Sequence, residues 1–477
     1  MGEEIIVDRS FLLKGEGSLE LLDGALEVFG YTLSLGDKVM VPRGKIFPFI
    51  VLERAKVVVE GGKIIFPEHE LFPREWFEVF DVIKKKLGEK RGKPFIVILL
   101  GFVDVGKSSF ILYASNLLVK EGFKVGIIDA DIGQSKIGPP GIISGAIIAE
   151  GTLDLSNVQM EYGFFIGDKS PPGHLLQCIV GVRKILDKLA EICDVVLIDT
   201  TGLVFGGPGM ALKLSKVEIL NPDMVIILEK GRECEHFAKV LRGFNFNVFR
   251  LPSPRYLVGT SRTDRIFLRD IAFKRFIDRS KIVELELKLD DISLHNTILG
   301  SGISFEPSNI FPNYVRWTEL SPNGFLVITK RDASSDASEL KNVARRFLVS
   351  LKSVNMAIRM GLDVEKKLKE SPIFSGFERD TIFTLSNILM RRKPDEIPIV
   401  ILPENYYENL YVGLVDGDGN LLGVGVLKNI DFKSKIIKVK AALRADINAN
   451  DIKILKVGYL RLNDNWEEIG RRKIGLG

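Results

Sequence analysis

The chain has 477 residues, 66 Lys and Arg against 62 Asp and Glu, a formal net charge of +4 and 46% hydrophobic residues. At roughly 100–200 residues per domain this length predicts two to four domains, and a core-forming composition excludes a largely disordered chain. The charge excess is too small to mark a nucleic-acid binder, so any polyanion site must come from local clustering of positive charge.

The longest apolar run, Phe95 to Val103, is about half the ~20 residues a membrane-spanning helix needs, and it contains Gly101. The start, MGEEIIVDRS, has no basic region and no signal-peptide core. Cys178, Cys193 and Cys234 form no CxxC pair, which excludes a disulfide framework or a zinc ribbon. The four histidines, His69, His174, His236 and His295, have no metal-ligand spacing. These features describe a cytoplasmic, soluble protein with no membrane contact.

In chain order, residues 1–72 carry short apolar runs broken by glycines and read as a small β domain. Residues 73–93 read as a helix, Pro73 to Leu87, and a basic linker from Lys84 to Lys93; Trp76, Phe77, Phe80 and Ile83 share one helical face. Residues 94–285 change pattern. Phe95–Leu100, Lys124–Asp129, Val195–Asp199, Met224–Glu229 and Asn247–Leu251 read as strands alternating with helices. That alternation predicts an α/β domain with a doubly wound, mostly parallel sheet. Residues 286–477 read as a second β-rich domain with a helical insertion, Asp336–Leu362 and Arg379–Arg392. YVGLVD-GDGN-LLGVGVLKNID within it is a hairpin.

The segment from Gly101 to Ser108, GFVDVGKS, fits GxxxxGK[ST] between an apolar strand and a helix. Glycines let backbone N–H groups curl around phosphate oxygens. Lys107 would neutralise the β- and γ-phosphates, and the Ser108 hydroxyl would ligate Mg²⁺. The motif establishes a nucleoside triphosphate site and does not say where the phosphate goes.

Two strands end in acids. IIDADIGQSKIGPPG places Asp129 and Asp131 at the carboxyl end of the second strand, where open α/β sheets bind ligands. Strand alternation puts both on one side. Asp131, nearer the loop, is the better candidate base; Asp129 reads equally as structural or metal-linked. VVLIDTTG ends in Asp199, which would bind metal through water. Further on, Arg262, Arg265 and Arg269 stand at i, i+3, i+7 on one helical face. Such a face is either a phosphate-clamping lid or a solvated basic surface, and Phe267, Ile271 and Phe276 would dock it.

GFVDVGKSS, DADIGQSKIGPPG, FFIGDKSPPG, DTTGLVFGGPG and the arginine helix, taken together, resemble the polynucleotide 5′-hydroxyl kinases. That family includes archaeal RNA/DNA kinases, the kinase subunit of the eukaryotic pre-mRNA cleavage factor and the rRNA-processing kinases. SLELLDGALEVFG is similar to the family's N-terminal β domain, and YVGLVDGDGNLLGVGVL to its C-terminal one, closest to the rRNA-processing branch. Residues 290–404 match nothing in it.

The resemblance implies ATP and Mg²⁺ as cofactors, and RNA, with DNA as a further substrate, carrying a 5′-hydroxyl end. Protein partners stay unknown. By the resemblance, Gly101, Asp104, Val105, Gly106, Lys107, Ser108 and Ser109 hold the nucleotide. Ser108, Asp129 and Asp199 are the metal side. Lys107, Asp131 and Arg265 carry the chemistry, with Asp131 activating the 5′-hydroxyl. Gln134, Ser170, Leu203, Arg262 and Arg269 face the substrate. Ser170 takes the place of a residue gripping a backbone phosphate. Thr260 occupies the place of a second lid arginine, with Arg262 nearby as a substitute. Leu203 replaces a Trp that stacks on the terminal base, so either a weaker grip on that base or an aromatic from elsewhere, such as Phe205, is expected. Two other readings use the same P-loop: an ATP-binding scaffold in an RNA-processing complex, and an NTPase that passes the phosphate to water.

Overall fold

The computed structural model describes all residues except 1, 90–91, 93, 308–309, 331–336, 366–367, 369–370, 445–446 and 473–477. Three positions of the expected linker, 90, 91 and 93, therefore lie outside the described residues. The chain divides into two compact units, residues 1–278 and 279–477.

The first unit opens with a five-stranded sheet: β1 (Glu3–Val7), β2 (Phe11–Val28), β3 (Tyr31–Thr32), β4 (Lys38–Val41) and β5 (Ile46–Ile65). Helix α1 (Arg74–Glu89) follows. Its inner face is Trp76, Val79, Phe80, Ile83 and Leu87. Phe77, expected on that face, is 40% exposed and meets only the edge of Tyr113. The actual stripe sits at i, i+3, i+4, i+7 and i+11 from Trp76, which Phe77 leaves by one residue.

The central sheet has seven strands. In chain order its elements are β6 (Phe95–Gly101), α2 (Lys107–Lys120), β7 (Val125–Ala130), β8 (Ile142–Ile148), β9 (Tyr162–Phe165), α3 (Leu175–Ala190), β10 (Val195–Thr200), α4 (Gly206–Leu220), β11 (Met224–Glu229), α5 (Glu235–Leu241), β12 (Asn247–Pro252) and α6 (Arg262–Asp278). The spatial order is β12-β11-β6-β10-β7-β8-β9. The first five are parallel, and β8 and β9 add an antiparallel edge. Every residue of β7, β10 and β11 is buried, because helices cover both faces. The carboxyl ends of β6, β7 and β10 lie side by side, with Asp199 opposite Asp129. That places the P-loop and both acidic strand ends at one edge of the sheet.

The small sheet is fastened to α2 by Asn116, which is 3% exposed. Its Nδ2 donates to the carbonyls of Phe29 at 2.8 Å and Thr152 at 2.9 Å, and its Oδ1 accepts the Thr152 N–H. Trp76 adds an indole N–H to the Pro252 carbonyl at 3.0 Å and packs edge-on against Phe110.

The second unit holds two sheets. A mostly antiparallel one joins β13 (Lys281–Lys288), β14 (Ser293–His295), β19 (Leu410–Val415), β20 (Leu421–Asp431), β21 (Ile436–Leu443), β22 (Ile454–Leu462) and β23 (Glu468–Arg471). The other joins β15 (Ile303–Phe305), β16 (Val315–Ser321), β17 (Gly324–Thr329) and β18 (Ile399–Pro403). Helices α7 (Ala337–Arg359) and α8 (Arg379–Ile388) pack on it through Phe347, Leu351 and Leu385. The hairpin β19–β20 turns on Asp416, whose Oδ1 accepts the N–H groups of Asp418 and Asn420.

Candidate active site

Three P-loop residues, Gly101, Asp104 and Gly106, have positive φ. Gly106, at φ 100°, caps α2, and a Cβ there would come within 2.8 Å of the Leu257 side chain. Asp104 has φ 57°. The first turn of α2 has no acidic residue, so its N-terminal N–H groups and helix dipole present positive potential to the loop. Val105 is buried and contributes backbone only; Ser109 faces the cavity beside Ser108. Lys107 is 7% exposed and donates to the carbonyls of Gly101 at 3.0 Å and Phe102 at 2.6 Å. Burial pulls its amine below the ordinary lysine value, and Asp199 and Asp131 oppose that pull.

The two acidic strand ends differ. Asp199 Oδ2 accepts the Ser108 hydroxyl at 2.5 Å, while Oδ1 is buried with no protein partner. A hydroxyl and an orphaned carboxylate oxygen beside a phosphate loop suit a hard cation and its water shell. Asp129 is saturated. Its Oδ2 accepts Ser135 Oγ and the N–H groups of Lys136 and Ile137, and its Oδ1 accepts Asp131 N–H. Burial pushes its carboxyl above the usual range. Asp129 therefore shapes the turn rather than facing the cleft. β7 ends at Ala130, so strand alternation no longer applies at Asp131. Asp131 lines the cavity instead, with Oδ1 held by the N–H groups of Gly133 at 3.2 Å and Gln134 at 3.3 Å.

These groups open on a cavity of about 260 Å³ between the small sheet, the P-loop and α6. Five cations line it: Lys45, Lys107, Lys136, Arg269 and Arg275. Asp104, Asp131 and Asp154 are the facing acids. Burial lowers the Lys45 amine, with the Lys136 charge adding to it. Lys136 titrates above its ordinary value despite burial, because Asp131, Asp129 and Asp199 surround it.

The substrate-side candidates separate. Gln134 and Arg269 line the cavity; Arg262 is exposed at the start of α6. Arg275 reaches in from the far end of the helix, donating to the Lys136 carbonyl at 2.5 Å. Arg265 pairs with Asp104 at 2.8 Å. The helix docks through Ala272 and Phe273, while Phe267 and Ile271 stay more than a third exposed. Ser170 is half-buried on a loop next to the DIGQ turn, where the Lys169 carbonyl would meet a Cβ on Gly133 at 2.8 Å. A buried His174–Asp168 hydrogen bond of 2.9 Å closes that loop. Leu203 packs against the central core. Phe205 is 53% exposed with its ring 5.1 Å from Phe102 in the P-loop. Lys45 has no motif to announce it; Lys136 follows the Gln134-Ser135 pair directly, and Arg275 lies on the arginine helix outside the Arg262, Arg265, Arg269 set.

Residues 101–279 match the family model described as the mRNA cleavage and polyadenylation factor CLP1 P-loop. That segment is similar to the P-loop domain of the Clp1 family. Beyond it, the chain is 29% identical over 384 residues to a polyribonucleotide 5′-hydroxyl-kinase of Pyrococcus abyssi, covering 80% of this chain and 92% of that one. A polyribonucleotide 5′-hydroxyl-kinase of Methanocaldococcus jannaschii is 27% identical over 405 residues, covering 83% and 94%. A solved structure of Clp1p bound to a Pcf11p segment superimposes with a TM-score of 0.60 at 14% identity, covering 97% of this chain and 98% of Clp1p. The Clp1-type fold therefore extends over both units. No helix among the described residues is long and apolar enough to cross a membrane.

Proposed function

We propose that this protein is an ATP-dependent polynucleotide 5′-hydroxyl kinase that transfers the γ-phosphoryl group of ATP to the 5′-OH of RNA. The carrying observation is one cavity that joins a P-loop lysine and serine, a backbone-oriented Asp131 and cations from three other elements. The whole-length similarity to polyribonucleotide 5′-hydroxyl-kinases supports the same reading. A hydrolase needs no second, strand-sized acceptor site; Lys45, Lys136, Arg269 and Arg275 supply positive charge beyond the P-loop for one.

Lys107 neutralises the phosphates, and the backbone N–H groups of 104–108 cradle them. Ser108 and the orphaned Asp199 Oδ1 would hold Mg²⁺, which supplies charge neutralisation between the phosphates. Asp131 accepts the proton of the 5′-hydroxyl as that oxygen attacks in line. Arg269 and Arg275 steady the strand's own phosphates. Exposed Phe102 and Phe205 offer π-faces for the terminal base, which the aliphatic Leu203 lacks.

ADP release separates the readings. An oligoribonucleotide with a 5′-hydroxyl should stimulate it, and the same oligonucleotide carrying a 5′-phosphate should not. Equal rates with both would identify a hydrolase, and stable bound ATP with neither would identify a scaffold. Base stacking is worth ~1–3 kcal/mol, so Phe205→Ala should raise the KM for the oligonucleotide by roughly 5- to 150-fold. Its kcat at saturation should stay close to wild type. Steady-state titration of the oligonucleotide checks both values.

A further inference from the structure

We propose that Asp104 is a positioning residue that docks helix α6 on the P-loop and aims Arg265 at the transferring phosphoryl group. This rests on the kinase reading above. Asp104 occupies the left-handed region, φ 57°, where Gly, Asn or Asp serve the backbone equally well. The backbone therefore does not explain a carboxylate there.

The side chain does. Its partners all come from the segment that leads into and forms the start of α6. Oδ2 accepts the Thr260 N–H at 2.8 Å and the Arg265 guanidinium at 2.8 Å, and Oδ1 accepts the Thr260 hydroxyl at 3.1 Å. One P-loop residue thus gathers three donors from a segment more than 150 positions away in sequence. Asp104 is 18% exposed and Arg265 31%, a setting where a charge-assisted pair is screened less than on the open surface. Burial works against the Asp104 carboxylate, yet the Thr260 N–H and the Arg265 charge hold it below the usual range.

The guanidinium is not used up by this pair. Arg265 Nε is buried and has no protein partner. A planar fork fixed through one NH₂ keeps its remaining donors in a set direction. Asp104 and Thr260 both line the cavity. An unpinned arginine would have to find that geometry anew at each turnover; a pinned one is preorganised.

The test uses Asp104→Asn, Arg265→Met and the double variant in the full chain. Asn keeps the size of Asp and an oxygen for the Thr260 N–H, but loses the charge pair. For Asp104→Asn, kcat should fall ~10-fold or more while the KM for ATP moves by less than ~3-fold, because the lost interaction belongs to the transition state. In the Arg265→Met background, Asp104→Asn should cost less than ~2-fold further, because the two act as one unit. Equal losses in both backgrounds would overturn the aiming role. Amide hydrogen exchange of the nucleotide-free protein gives a readout that needs no catalysis. Asp104→Asn and Asp104→Ala should both speed exchange at Arg265, and Asp104→Ala at Thr260 as well; unchanged exchange in both would overturn the docking role. A wild type that transfers no phosphoryl group would sink the kinase reading and leave the exchange result to decide the docking.

Discussion

Asp131→Asn is expected to lower phosphoryl transfer at least ~10²-fold while leaving ATP binding within a few-fold of wild type, the usual size of a lost general base. The geometry makes this substitution clean. Asp131 Oδ1 accepts the Gly133 and Gln134 N–H groups, and an Asn oxygen can accept both. Asn is nearly isosteric, so the turn and the neighbouring Asp129 network survive. What is lost is the negative oxygen that takes the hydroxyl proton. Single-turnover transfer beside a nucleotide-binding titration separates the two effects. Near-normal turnover would remove Asp131 from the base role and direct attention to Asp199.

Lys107→Met should cost about 10²–10³-fold in kcat/KM, the scale of removing one preorganised charge donor from a transition state. Met follows the path of the buried lysine stem, so the fold should persist. Its effect on the nucleotide-free protein is the more telling part. The Lys107 amine is depressed below the ordinary lysine value of 10.5 by burial, so the charged form is penalised in the folded state. A lysine lowered on folding destabilises the protein while charged, and the penalty fades as pH rises toward its unfolded value. Wild-type stability should therefore climb from neutral pH toward pH ~10, and Lys107→Met should remove part of that climb. Lys45, Lys213 and Lys216, also buried and lowered, would contribute to the remainder. Thermal melts across pH, without nucleotide, measure this. An identical pH slope in the variant would contradict the cost assigned to Lys107.

The parts of the fold readable in the sequence were those with a continuous apolar run closed by a glycine or an acid. Phe95–Gly101 and Val195–Thr200 are of that kind, because a strand buried on both faces has no polar positions to blur its ends. Strands β8 and β9 were not read. IISGAII and YGFF carry glycines that look like loop, and only pairing of β8 with β7 and of β9 with β8 makes them strand. The acidic pair shows a different limit. Alternation put Asp129 and Asp131 on one side, but the strand stops between them, and a turn residue follows hydrogen bonds rather than pleat. The arginine helix shows a third. Spacing grouped Arg262 with Arg265 and Arg269, while docking through Ala272 and Phe273 turned Arg275 into the cavity and left Arg262 exposed. Lys45 comes from a β domain whose sequence carries no phosphate motif; only tertiary packing brings it beside Lys136.

That convergence also settles the charge question raised by a net of +4. Five cations against three acids line one cavity, so positive charge is clustered there in a chain that averages close to neutral. The central claim is that this pocket moves a phosphoryl group onto a nucleic-acid end. Incubation with γ-labelled ATP, Mg²⁺ and a 5′-hydroxyl oligoribonucleotide tests it most directly. The predicted result is label on the oligonucleotide, removable by phosphatase from its 5′ end. Label found only in inorganic phosphate, or retained wholly in ATP, would contradict the account.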